Sequence, residues 1–257
     1  NEIPVSCKSH DIDVAHKDGS TAKITLSDPT DYAGNRDFIL DYRLTGDQLN
    51  SGIMLYEGEE ENFFALMVQP PEHFEAADIP GREYIFVLDI SGSMYGYPLD
   101  TARELIRDLV GSLREDDCFN VILFADEVAS LSSKSLPATA ANIERAISLI
   151  DSMDGGGGTE LLAALQKATA LPAKDSTARS IVMITDGYIY GEKAIFEHIS
   201  KNLDSAGFFS FGIGTTVNRY LIEGMAEVGM GEAFVVTDEE DAAAMAKRFR
   251  TYVQAPL

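Results

Sequence analysis

Three short stretches of this chain gather side-chain oxygens and little else. Asp89-Ile90-Ser91-Gly92-Ser93 sets a carboxylate and two hydroxyls at alternate positions. Gly155-Gly156-Gly157-Gly158-Thr159 ends a glycine run on a third hydroxyl, and Asp186-Gly187 supplies a second carboxylate after Ile181–Thr185. Alternate residues of an extended loop point the same way, so Asp89, Ser91 and Ser93 are expected to converge, with Gly92 permitting a sharp turn. Carboxylate, hydroxyl and water oxygens suit hard divalent cations, whereas zinc and copper favour imidazole or thiolate. Two carboxylates and three hydroxyls do not make an all-protein cage. The set suits magnesium, which takes one or two carboxylates, keeps several waters and leaves room for an anionic ligand; calcium usually recruits more oxygens.

Other chemistries fit these residues less well. A phosphate-binding loop needs Gly-Lys-Ser/Thr, but here Thr159-Glu160 follows the glycines and places an anion where phosphate would sit. A haloacid-dehalogenase-like phosphatase needs a second Asp two residues after the first and a nearby Lys. Position 91 is Ser, and none of the three loops contains Lys. A Ser-His-Asp hydrolase fails because no His lies in the loop after a late strand. No catalytic residue is therefore expected. A metal-dependent hydrolase or phosphatase on a similar scaffold is the enzymatic alternative, and a regulatory subunit of an AAA-type ATPase is a further one.

These loops need a frame, and hydropathy supplies one. From residue 83 on, Tyr84–Leu88, Val121–Ala125, Ile181–Thr185, Phe208–Ile213 and Ala233–Thr237 are continuous apolar runs of strand length. Such runs mean burial on both faces, as in a parallel sheet. Helical patterns lie between and after them: Leu99–Leu113, Ala140–Ile150, Leu161–Leu171, Lys193–Leu203, Tyr220–Val228 and Asp241–Val253. Strand then helix, repeated, predicts an α/β domain with a doubly wound, mostly parallel sheet flanked by helices. Asp126–Ser132 follows its strand too closely for a crossover and reads as a short antiparallel edge strand. The last helix is Ala-rich on one side, with few large groups expected to lock its register. In open α/β sheets ligands bind at the carboxyl ends of the strands, where two of the three oxygen-bearing loops directly follow apolar runs.

Before residue 80 the texture differs. Ala22–Leu26, Phe38-Leu40-Tyr42-Leu44 and Phe64-Leu66-Val68 alternate with the period of half-buried strands, and Gln69–Gly81 reads as a linker. The expected division is a β-rich segment over 1–80 and an α/β domain over 81–257. Residues 1–80 carry 5 Lys/Arg against 16 Asp/Glu, so the acidic excess is densest there. The whole chain has 257 residues and a net charge of −22. That charge disfavours nucleic-acid binding, which depends on Lys and Arg displacing counterions. No apolar run approaches the roughly 18 residues of a membrane span. Cys7 and Cys118 are too few for a disulfide framework and lack the neighbours of a zinc site. Both termini read as cuts in a longer polypeptide.

Asp89-x-Ser91-x-Ser93, the distal Thr159 and the Thr185-Asp186-Gly187 turn resemble the metal-ion-dependent adhesion site of von Willebrand factor type A domains, over roughly residues 82–253. The resemblance implies that Asp89, Ser91, Ser93, Thr159 and Asp186 bind a divalent metal, Mg2+ with Mn2+ or Ca2+ as substitutes. It further implies a non-enzymatic adhesion module whose metal coordinates an acidic residue of a protein partner. The first 80 residues, through Asp37–Leu44, Phe63–Pro71 and Pro80-Gly81-Arg82-Glu83, are similar to the latter part of the domain (VIT) preceding the type A module in inter-alpha-trypsin inhibitor heavy chains. That likeness implies a secreted or cell-surface parent. The heavy chains' glycosaminoglycan-esterified C-terminal segment has no counterpart here.

Overall fold

The computed structural model describes residues 4–18, 21–28, 37–42, 50–58, 61–69, 81–173, 177–189, 191–203, 206–237 and 239–254. The chain divides into two compact units, residues 1–79 and residues 80–256.

In the first unit the described residues form three antiparallel two-stranded ribbons. β1 (Val5–Cys7) pairs with β4 (Leu40–Tyr42), β2 (Ile12–Asp18) with β3 (Thr21–Leu26), and β5 (Asn50–Glu57) with β6 (Asn62–Gln69). The alternating patterns become strands in the main, although Phe38 lies just before β4 and Leu44 and most of the 69–81 linker lie outside the described residues. Burial corrects one expectation. Phe64, Leu66 and Val68, read as a half-buried face, are 70%, 61% and 54% exposed. Among the described residues β6 pairs only with β5, and a two-stranded ribbon has no second layer to cover it.

In the second unit the described residues form a seven-stranded sheet. It comprises β7 (Arg82–Asp89), β8 (Cys118–Phe124), β9 (Val128–Ser130), β10 (Leu136–Pro137), β11 (Ala178–Thr185), β12 (Gly207–Ile213) and β13 (Ala233–Val236). The order is β10-β8-β7-β11-β12-β13, with β9 also on β8. β7, β8, β11, β12 and β13 run parallel; β9 and β10 are antiparallel, β9 within the Asp126–Ser132 stretch expected to be an edge strand and β10 beyond it. Six helices complete the unit among the described residues: α1 (Tyr97–Gly111), α2 (Ala140–Asp151), α3 (Leu161–Thr169), α4 (Glu192–Asn202), α5 (Arg219–Val228) and α6 (Glu239–Gln254).

Both faces of the sheet are buried, which is why its strands read as unbroken apolar runs. Along β7, Tyr84, Phe86 and Leu88 pack into the core beneath α1, α2 and α6, while Ile85 and Val87 face α3, α4 and α5. On α1 the buried Leu99, Ala102, Ile106 and Leu109 recur at the spacing of one helix face. α6 is more firmly seated than its alanines suggest. Phe249 meets Phe209, Phe211, Phe234 and Tyr84 edge-on, at centroid distances of 5.1, 5.7, 5.9 and 6.4 Å. One aromatic ring therefore sets the register that four small residues leave open. At the amino end of the sheet, buried Glu83 pairs with Arg179 at 2.8 Å and accepts the Ser135 hydroxyl at 2.5 Å.

β7 and β11 are neighbours, yet the chain leaves β7 toward β8 and leaves β11 toward β12, on opposite sides. This reversal opens a crevice at their carboxyl ends.

Candidate metal centre

Asp89 is the last residue of β7 and is fully buried (0% exposed). Its Oδ1 accepts the Ser91 amide at 2.9 Å and its Oδ2 accepts the Thr185 hydroxyl at 2.6 Å. Thr185 Oγ1 in turn accepts the Gly187 amide at 3.0 Å. Ser91 is also buried, and its Oγ lies 3.2 Å from Ser93 Oγ. Asp186 is buried too (6% exposed), with the Tyr188 amide donated to its Oδ1 at 3.1 Å.

The two serine hydroxyls meet by a different route from the expected one. Gly92–Met94 is a 3-10 turn, closed by the Met94 amide on the Ser91 carbonyl at 3.1 Å, so they approach through a tight turn rather than along an extended strand. Gly92 matters for proximity: a Cβ there would lie 3.3 Å from the Gly157 carbonyl oxygen. That oxygen accepts the Gly92 amide at 3.0 Å, and the Ile90 carbonyl accepts the Gly156 amide at 2.9 Å. Two backbone hydrogen bonds thereby fasten the glycine loop to the first loop. The Glu160 amide donates to Ala125 at 2.9 Å, holding half-buried Thr159 beside the end of β8. Thr159 directly precedes Glu160, the N-cap of α3.

Two positioning residues escape a reading of the sequence alone. Asp126 Oδ1 accepts the Gly158 amide at 2.7 Å, and a Cβ on Gly157 would lie 2.3 Å from Asp126 Oδ2. Its signal was its place just beyond β8, at the same carboxyl end of the sheet as Asp89. Thr185 was legible only as a member of the turn motif, and its bond to Asp89 was not. Asp117, in the acidic Glu115-Asp116-Asp117 stretch, serves a turn instead: it is buried, accepts the Arg82 and Arg114 amides at 2.9 Å each, and pairs with the Arg114 guanidinium.

Burial pushes the Asp89 carboxyl above its ordinary range; the Ser91 and Thr185 hydrogen bonds oppose that shift and the Asp186 charge reinforces it. Among the described residues no Lys, Arg or His forms an ion pair with Asp89 or Asp186. Nor is any group of three or more His, Cys, Asp or Glu placed to hold a metal ion among those residues. A cation here would depend on hydroxyls and water as well as on two carboxylates. This donor set fits a hard, oxygen-seeking cation and offers nothing to a thiophilic one.

Residues 82–253 match the von Willebrand factor type A domain. The chain belongs to this family. A von Willebrand factor A domain-containing protein of Dictyostelium discoideum is 29% identical over 241 residues, covering 89% of this chain and 11% of its own length. Bovine (Bos taurus) inter-alpha-trypsin inhibitor heavy chain H3 is 25% identical over 241 residues, covering 89% of this chain and 26% of its own. Both alignments extend beyond the type A match, and the chain spans about a quarter or less of these relatives. The solved von Willebrand factor type A structure from Catenulispora acidiphila superposes with a TM-score of 0.60 at 16% identity, over 80% of this chain and 45% of that one, and shares the fold. Among the described residues no helix of the type A unit or elsewhere is long and apolar enough to cross a membrane.

Proposed function

We propose that residues 81–257 are a divalent-cation-dependent protein-binding module. In this reading Asp89, Ser91, Ser93, Thr159 and Asp186 hold magnesium, or manganese or calcium in its place, and bind a partner protein through an Asp or Glu. The observation that carries the reading is the pair of buried carboxylates, Asp89 and Asp186, with no basic side chain paired to either among the described residues. Burying like charges without a counter-charge is costly, and a divalent cation would offset both. When bound, such a cation supplies a Lewis-acidic position open to an incoming carboxylate.

The chain's own residues do the rest. Thr185 and the Ser91 amide fix both oxygens of Asp89, so the carboxylate cannot swing away. Ser91 and Ser93 present adjacent hydroxyls, and the fastened glycine loop keeps Thr159 in place. Among the described residues no Lys, Arg or His is paired with either carboxylate to serve turnover, which favours binding over hydrolysis. Strong negative charge elsewhere repels acidic partners that lack the cation bridge. Similarity to inter-alpha-trypsin inhibitor heavy chains supports reading residues 1–80 as part of the domain preceding their type A module, and the parent protein as secreted or surface-exposed.

Titration of the whole chain with Mn2+, followed by electron paramagnetic resonance, tests this reading. One bound Mn2+ per chain is expected, lost in both Asp89→Ala and Asp186→Ala while circular dichroism remains native. Equal Mn2+ binding by wild type and variants would overturn it.

A further inference from the structure

Beside the acidic centre lies a cleft of about 360 Å³ lined by Gly187, Tyr188, Ile189, Thr216 and Asn218. One wall is the turn leaving β11; the other is the loop between β12 and α5. The walls are continuous with the centre itself. The Tyr188 amide donates to Asp186 Oδ1 at 3.1 Å, and the Asn218 amide donates to the Asp186 carbonyl at 3.2 Å.

The Asn218 side chain and much of the backbone lining this cleft are already engaged. Asn218 Nδ2 donates to the Gly187 carbonyl at 3.2 Å, and its Oδ1 accepts the Leu221 amide at 3.2 Å as the cap of α5. The Gly187 carbonyl also accepts the Ile189 amide at 3.0 Å. Gly187 has φ +79°, and a Cβ there would lie 3.0 Å from Asn218 Cβ, so bare backbone forms the floor. An incoming group therefore meets the Tyr188 ring (55% exposed), Ile189 and the Thr216 side chain. None of the five lining residues is charged, in a chain of net charge −22. A charged side chain entering here would surrender water for no counter-charge, whereas an aliphatic or aromatic one gains burial against the Tyr188 ring and Ile189.

We infer that this cleft is a specificity subsite, receiving the apolar side chain next to the coordinating Asp or Glu of the partner protein. The inference rests on the cation-bridge reading above. Burying one Leu- or Phe-sized side chain strengthens binding by roughly tenfold or more.

Panning a phage library tests it, using seven-residue peptides with Asp or Glu fixed at the centre and all flanks random. The whole chain is the bait in Mg2+, with elution by EDTA. Wild type and Thr216→Ala, which keeps the cleft open, are expected to enrich Leu, Ile, Met or Phe beside the fixed acid. Thr216→Trp, which fills the cleft from an exposed position outside the cation set, should still capture acidic peptides without that preference. It should also bind the wild-type selections about tenfold more weakly. EDTA-eluted peptides with random flanks, or a preference that survives Thr216→Trp, overturn the subsite and leave the cation reading standing. No EDTA-eluted peptide from wild type overturns both.

Discussion

The Thr185 hydroxyl donates to Asp89 Oδ2 at 2.6 Å, linking the carboxyl ends of two adjacent parallel strands. Because Thr185 Oγ1 also accepts the Gly187 amide, a three-member relay runs from backbone amide to hydroxyl to carboxylate. The β11 turn and the β7 carboxylate are thereby held as one piece.

Thr185→Val keeps the shape and removes the relay. It leaves Asp89 Oδ2 and the Gly187 amide without their partner, which should cost about 1–3 kcal/mol in denaturant unfolding. Mn2+ affinity should fall by roughly 10–100-fold, as for other groups that orient metal ligands. Thr185→Ser should restore most of both. A Val variant that binds Mn2+ as tightly as wild type would show that the relay does not orient the site.

Asp126 acts on the glycine loop alone, and its substitution should separate affinity from stability. Asp126→Ala removes the acceptor of the Gly158 amide. Mn2+ binding should weaken by about tenfold or more. The denaturation midpoint should move by no more than the roughly 1 kcal/mol of one partly exposed hydrogen bond. An unchanged Mn2+ titration would mean that the two bonds to the first loop suffice to place Thr159.

Tyr84 makes alkaline stability testable. Burial, aided by the Asp117 charge, pushes its phenol up to about 12 against the opposing pull of Arg82 and Arg114. Between pH 10 and 12 the unfolded chain has released this proton while the folded chain keeps it. Fewer protons on the unfolded state mean that stability falls as pH rises through that window. Tyr84→Phe should lose less stability than wild type between pH 8 and pH 11, by on the order of 1 kcal/mol, read from denaturation midpoints. Parallel losses in the two proteins would place the proton elsewhere.

Phe249 is the residue on which α6 depends. Phe249→Ala removes the ring surrounded by Tyr84, Phe209, Phe211 and Phe234 and should cost about 3–5 kcal/mol. Phe249→Leu should cost distinctly less. Hydrogen exchange across residues 241–253 should rise in the Ala variant while β7 and β11 stay protected. A thermal midpoint within 2 °C of wild type would refute this assignment.

The sheet strands were legible because burial on both faces erases alternation: Ile181–Thr185 and Phe208–Ile213 announce themselves as apolar runs. Their order was not, since pairing β7 with both β8 and β11 joins residues far apart in sequence. Asp89, Ser91, Ser93, Thr159 and Asp186 stood out as oxygen donors after apolar runs or glycines. The residues that position them did not. Thr185 closes an apolar run and reads as strand, and Asp126 opens a stretch that reads as an edge strand, whereas the strand itself starts at Val128. In the first unit the alternation of Phe64, Leu66 and Val68 gave a strand but not its burial, because burial requires a second layer that a local pattern does not specify.

Exposure rises across the acidic centre, from Asp89 and Ser91 on its floor to Tyr188 and Thr216 at its mouth. The floor residues are bonded to one another and to strand ends; the mouth residues sit on loops. Selection can therefore exchange the mouth, residue by residue, without disturbing the charge-bearing floor. In such a molecule new recognition arises by changing the rim, and inherited chemistry persists beneath it. Lineages that differ in what they bind should differ first at positions such as 188 and 216.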